Sequence, residues 1–185
     1  MAKAMSAPAS APFTYREYAR LSDDRRYEVI DGKLFVTPSP RTWHQRICLN
    51  LAVAVREHVL ANGLGEVLIA PCDVVLSDTN VFQPDILFVR KDRISIIEEK
   101  YVSGAPDLVV EILSPGTRAR DRKLKFPVYA RFGVSELWIG DVSARTIEVF
   151  RNTGVRYGPP SRFGPGDVLR SAVLPGLRIA VDTIF

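Results

Sequence analysis

The sequence predicts an α+β or mixed α/β sheet, mostly strands with two main helices, from three observations. Short apolar runs rich in β-branched residues recur along the chain, separated by Gly- and Pro-rich turns. Two segments keep helical spacing. One run, Pro106-Asp107-Leu108-Val109-Val110-Glu111-Ile112-Leu113-Ser114-Pro115, is apolar at odd and even positions alike. That is the pattern of a strand buried on both faces. A carboxylate, Glu111, sits in its middle. An ionised carboxylate in an apolar interior must neutralise, find a partner or bind a metal.

The chain has 185 residues, 46% of them hydrophobic and 25% charged, with a net charge of +4. This length suits one domain with a sizeable core. Residues 1–12, rich in Ala, Ser and Pro, read as a mobile tail and residues 13–185 as one domain. The sequence pI near 9.2 is mildly basic, compatible with a polyanionic partner but also with an ordinary basic protein. Two cysteines, Cys48 and Cys72, are too few for a disulfide framework or a cysteine zinc site, and they fit a reducing, cytoplasmic compartment. No segment has the uninterrupted apolar length of a membrane span, and the N-terminus lacks the apolar core of a signal peptide.

Taken in order, Thr14 with Glu17 forms a capping box, which predicts a short helix from Tyr15 to about Leu21. Tyr27 to Val36 carries Asp31-Gly32 between apolar runs and predicts a hairpin, with Glu28 on the same face as Ile30. A long helix is expected from Thr42 to Asn62, stopped by Gly63, with Thr42 and Gln45 as a candidate cap. Its apolar stripe is Ile47, Cys48, Leu51, Ala54 and Val55, extended by His44 at one end and His58 at the other. Strands are expected from Glu66 to Leu76, which takes in Cys72, and from Phe82 to Val89, the latter with Pro84 disrupting its pairing and Asp85 opening its apolar part. After the Glu111 strand comes a basic stretch with Arg118, Arg120, Asp121, Arg122, Lys123 and Lys125, then a helix to about Phe132 that Pro127 kinks or starts. Four more strands follow, Glu136–Gly140, Thr146–Phe150, Val168–Ser171 and Leu177–Val181.

The spacing of the acids narrows the partner of Glu111. Asp107 lies on the same face but four residues away, roughly 13 Å along a strand, too far to share one ion. It reads as a strand-entry residue. Asp85 is the stronger candidate, since carboxylates opposite each other on adjacent strands lie within about 5 Å and can chelate Mg²⁺. Glu28 is a third candidate ligand. The competing reading is three unconnected, solvated acids.

These residues carry a resemblance. The set Tyr27-Glu28-Val29-Ile30-Asp31-Gly32, Pro38-x-Pro40-x-x-x-His44, Gln83-Pro84-Asp85, the Glu111 strand, Asp121-x-x-x-Lys125-x-x-x-Tyr129 and Gly133-Val134-x-Glu136-x-Trp138 resembles the Uma2 family of restriction-endonuclease-like proteins, from about residue 13 to the C-terminus. Membership of the PD-(D/E)XK nuclease superfamily implies a restriction-endonuclease-like core, a central mixed β-sheet flanked by helices, and Mg²⁺-dependent (or Mn²⁺-dependent) cleavage of phosphodiester bonds in DNA. By position, the resemblance implies Asp85 and Glu111 as the motif acids and Glu28 as an additional acid, the three holding metal. The ordinary motif has a lysine two residues after the second acid, where this chain has Leu113. The resemblance implies Lys125 instead, with Lys123 the runner-up. Asp121, Lys125 and Tyr129 are spaced by four and share one helical face, Asp121 and Tyr129 in support. A solvated Lys125 paired with Asp121 is the competing reading. His44 is assigned to phosphate or to orienting a carboxylate. Arg118, Arg120, Arg122 and Lys123 are assigned to the nucleic-acid backbone. Cutting both strands of a duplex invites a homodimer. The alternative function is a nuclease-fold protein that binds nucleic acid or a protein partner without cleaving.

Overall fold

The computed structural model describes residues 11–113 and 121–185. A single helical turn, α1 (Tyr15–Tyr18), opens it. The Thr14/Glu17 capping box closes as expected, but the helix ends at Ala19 rather than Leu21. Strands β1 (Arg26–Ile30) and β2 (Lys33–Thr37) form the hairpin that Asp31-Gly32 predicts. Both turn residues have positive φ, 45° and 73°, as tight hairpin connections require. Helix α2 (Thr42–Asn62) has the expected bounds, and Gly63 ends it at φ 60°. Its N-cap is Arg41, without a side-chain cap bond, so Thr42 lies inside the first turn and does not cap it with Gln45.

Two runs that read as single strands are each broken in two. Strand β3 (Gly65–Ile69) is separated from β4 (Val74–Ser77), and β5 (Asn80–Phe82) from β6 (Ile86–Arg90). A proline sits in each break, Pro71 and Pro84, where the missing N–H ends ladder pairing. Cys72 therefore lies in a connection and not in a strand. The breaks let the chain pass between two sheets. Strands β4 and β5 join a five-stranded sheet of order β2-β1-β5-β4-β7, with β7 at Val102–Ser103. Strands β3 and β6 join a six-stranded mixed sheet of order β11-β10-β9-β8-β6-β3. Its members are β8 (Leu108–Leu113), β9 (Glu136–Asp141), β10 (Thr146–Arg151) and β11 (Ser161–Phe163). The last is a strand absent from the sequence reading. A small pair, β12 (Val168–Leu169) and β13 (Ile179–Ala180), replaces the two longer C-terminal strands that were expected.

Strand β8 is central, parallel to β9 and antiparallel to β6. All six of its residues are buried, as its unbroken apolar run predicts. Leu108, Val110 and Ile112 pack with Trp138 and α2 residues Ile47, Leu51 and Val55. Val109 and Leu113 pack on the opposite side with Val74, Phe82, Val128 and Tyr129. The central sheet thus has α2 on one face and the second sheet with helix α3 (Phe126–Arg131) on the other. A π-helical turn, Asp121–Lys125, leads into α3. Pro127 occupies the first turn of α3, where its missing N–H costs nothing, so it starts the helix rather than kinking it.

Two buried carboxylates hold this frame. Asp107 is a strand-entry residue, as expected, but a buried one, accepting from the Arg90 backbone N–H at 2.9 Å and from Arg93 Nη1 at 2.8 Å. Glu136 is fully buried and ties β9 to the C-terminal segment. Its Oε1 accepts from Trp138 Nε1 and Ser171 Oγ, both at 2.7 Å, and its Oε2 from the Ala172 backbone N–H at 2.8 Å. Glu136→Ala strands these donors, and unfolding in urea is expected to show a loss of about 2–4 kcal/mol with Glu28, Asp85 and Glu111 left in place.

Candidate active site

The site lies where the C-terminal half of β8 meets the start of β6. The β6–β8 register pairs Ile86 with Val110 and Leu87 with Val109. Asp85 directly precedes Ile86, and Glu111 directly follows its partner Val110. Asp85 Oδ2 accepts the Ile112 backbone N–H at 2.7 Å, which fixes the carboxylate against β8. Glu111 alternates with Val109 and Leu113, so it points to the face that carries β1 and α3.

From that face come three side chains. Lys125, at the end of the π-helical turn, places Nζ 2.8 Å from Glu28 Oε1 and 3.2 Å from Glu111 Oε1. The Tyr129 hydroxyl, on α3, donates to the same Glu111 oxygen at 2.8 Å. Glu28, on β1, also accepts the Gln83 backbone N–H at 3.2 Å. The side chains of Glu28, Lys125 and Glu111 are only 1%, 5% and 8% exposed. Sealed from water, an ammonium between two carboxylates is held by strong electrostatics, and its removal is costly. Lys125 is therefore a buried member of the site rather than a solvated helix charge. Lys123 is exposed.

The opposite face contributes His44, from the first turn of α2. Its Nε2 lies 3.1 Å from Asp85 Oδ2, and its Nδ1 lies 3.4 Å from Cys48 Sγ one turn on. Sequence spacing brings out His44 but reads Cys48 only as a core thiol. The signal for both was their separation of four on one helix. Burial, and then the charges of Asp85 and Glu111, push the Cys48 thiol well above its ordinary pKa. One donor atom each from His44, Cys48 and Asp85 falls within 4.8 Å of the others, a group able to hold a metal ion.

Gln83, also absent from the sequence reading as a functional residue, braces the site. Its side chain donates to Asp73 Oδ1 at 2.8 Å and to the Tyr18 hydroxyl at 3.2 Å, and accepts from Arg26 Nε at 3.0 Å. Burial and the bond to Asp73 raise the Tyr18 pKa, so this network keeps a neutral phenol. Of the basic residues assigned to nucleic acid, Arg122 is exposed and paired with Glu148, which Arg162 also approaches. Arg118 and Arg120 lie outside the described residues. Asp121 opens the π-helical turn. Tyr129→Phe removes one donor to a buried carboxylate, and a chemical-unfolding comparison is expected to show a loss of about 1.5–3 kcal/mol.

A mixed sheet with acids at the ends of adjacent central strands, and a buried lysine between two of them, is the architecture of a nuclease-like α+β protein. The chain belongs to the Uma2 family, described as "Putative restriction endonuclease", whose model matches residues 14–182. Endonucleases take nucleic acid as substrate. Among solved structures it is similar to a protein from Anabaena variabilis ATCC 29413, described as a "putative nuclease belonging to DUF820". The two share 21% identity over 94% of this chain and 98% of the other, with a TM-score of 0.79, which shows a common fold. No curated protein matches the chain. Among the described residues, no helix is long and apolar enough to cross a membrane.

Proposed function

We propose that this chain is a Mg²⁺-dependent endonuclease that hydrolyses phosphodiester bonds in DNA. The observation that supports the reading is one buried ammonium, Lys125, shared by Glu28 and Glu111, with Asp85 bound to the next residue of the Glu111 strand through the Ile112 N–H. The donor set fits the ion. Carboxylate oxygens from adjacent strands are the hard ligands Mg²⁺ prefers, and Mn²⁺ accepts the same set. Asp85 and Glu111 would hold it, with Glu28 joined to them through the ammonium it shares with Glu111. Mg²⁺ bound there supplies a water of lowered pKa and neutralises phosphate charge.

The chain's own residues supply the rest. Lys125 holds a positive charge beside Glu111, where it stabilises negative charge developing on the phosphate. The Tyr129 hydroxyl orients Glu111, and the Ile112 N–H orients Asp85. His44 holds Asp85 from the α2 side. Leu113 is buried in the core, so the motif lysine missing after Glu111 is replaced in space by Lys125. The basic stretch that includes Arg118, Arg120, Arg122 and Lys123 follows the duplex backbone without reading sequence. A two-fold dimer would set one such site on each strand.

Supercoiled plasmid incubated with purified protein and Mg²⁺ or Mn²⁺ is expected to be nicked or linearised, and chelation is expected to stop the reaction. Glu111→Gln is expected to lower the rate about a hundredfold or more. Intact plasmid with either ion, or equal cutting by Glu111→Gln, overturns the reading in favour of a nuclease fold that binds without cleaving.

A further inference from the structure

His44, Cys48 and Asp85 are a donor set that Mg²⁺ chemistry does not use. Imidazole nitrogen and thiolate sulfur suit borderline-soft divalent ions, whereas Mg²⁺ takes oxygen. The three residues come from two elements that the core holds rigidly together. His44 and Cys48 are one turn apart on α2, and Asp85 is pinned to β8 by the Ile112 N–H. Imidazole Nδ1 lies 3.4 Å from Cys48 Sγ and imidazole Nε2 lies 3.1 Å from Asp85 Oδ2. These contacts use the two different ring nitrogens, so an ion bonded to one of them must draw the other two ligands in around it, to the roughly 3.3–3.7 Å separations of a tetrahedral Zn²⁺ site. One donor atom from each residue already falls within 4.8 Å of the others. The group is also sheltered, with His44 buried and Cys48 packed against the α2 core.

From this geometry we infer that His44, Cys48 and Asp85 form a binding site for a thiophilic divalent cation of the Zn²⁺ class. The ion bonds to one imidazole nitrogen, to the Cys48 sulfur and to an Asp85 oxygen, and the thiol proton leaves to solvent. The Ile112 N–H keeps the Asp85 carboxylate oriented, as outer partners of metal ligands do. Three protein ligands leave a fourth position for water. Asp85 is then called on twice, by this group on the α2 face and by the Mg²⁺ site proposed with Glu111. Resting on the endonuclease reading, the consequence is that a Zn²⁺-class ion draws Asp85 away from Glu111 and inhibits Mg²⁺-dependent cleavage.

Cobalt spectroscopy tests the site without reference to activity. Co²⁺ titrated into the full-length protein is expected to give a near-ultraviolet thiolate-to-cobalt charge-transfer band that saturates at one equivalent. Zn²⁺ is expected to bleach that band and excess Mg²⁺ to leave it. Cys48→Ser is expected to lose the band and Cys72→Ser to retain it. No band in the wild-type protein overturns the site, and so does an equal band in a folded Cys48→Ser variant. Plasmid cleavage supplies the second arm. One equivalent of Zn²⁺ is expected to suppress Mg²⁺-dependent cutting by wild-type protein more than by Cys48→Ser, and equal suppression overturns the competition. A cobalt–thiolate band in a protein that cuts no DNA supports the site and overturns the endonuclease reading. Cleavage without the band does the reverse.

Discussion

Lys125→Met is expected to remove about 3–5 kcal/mol of folding stability and to abolish metal-dependent cleavage. Methionine matches the length of the side chain but leaves Glu28 and Glu111 facing each other without the ammonium that both contact. Among the described residues, these oxygens also accept from the Gln83 N–H and the Tyr129 hydroxyl, neither of which carries charge. Two carboxylates in so dry a setting repel strongly, because the low dielectric that strengthens the native triad also strengthens the repulsion. The sign of the metal effect separates this explanation from simple loss of packing. A divalent ion binding the folded carboxylates stabilises by mass action, and the variant has more unbalanced charge for it to offset. Urea midpoints measured with and without Mg²⁺ should therefore show a larger magnesium increment for Lys125→Met than for the wild type. A variant as stable as the wild type would mean that the ammonium is not sealed between the acids.

The acid at the centre of β8 was visible in the sequence because a charge in an unbroken apolar run has few cheap fates. The same rule, applied evenly, also marks Glu136, which opens the equally apolar run Leu137-Trp138-Ile139. Composition does not separate the two. Their partners do, for Glu136 satisfies an indole, a hydroxyl and a backbone N–H within the fold, while Glu111 faces Lys125 and Tyr129 in a cluster of acids. Choosing between a structural carboxylate and a site carboxylate needs the tertiary neighbours, which lie tens of residues away in the chain.

Strand continuity was misjudged for a related reason. Glu66 to Leu76 and Phe82 to Val89 are both apolar enough to read as unbroken strands. Each passes from one sheet to the other at a proline, and the second crossing leaves Asp85 just ahead of β6 and outside its pairing with β8. The Pro84 disruption was legible, whereas the existence of two sheets was not, since periodicity reports burial and not which sheet a strand joins. Lys125 shows the opposite case. Spacing by four put Lys125 and Tyr129 on one face, and both do reach Glu111, although the turn that carries Lys125 is π-helical rather than α-helical. Its burial could not be read from a stretch so rich in basic residues. It follows from the docking of α3 against β8 through Val128 and Tyr129.

Asp85→Asn is expected to lower cleavage about a hundredfold or more while leaving the melting temperature close to that of the wild type. The amide keeps the size of the carboxylate and an oxygen that accepts the Ile112 N–H, so the link between β6 and β8 survives. What it loses is charge, and with it the proposed role as a divalent-cation ligand and the carboxylate contact to His44. The two substitutions thus separate two parts of one site. Lys125 holds buried acids together, so its loss should appear in stability as well as in rate. Asp85 stands at the head of a strand and is partly exposed, so its loss should appear in rate alone. Cleavage rates and thermal melts on the same protein preparations check both. A large fall in melting temperature for Asp85→Asn would identify Asp85 as a structural acid of the Asp107 kind, and unchanged cleavage would remove it from the chemistry.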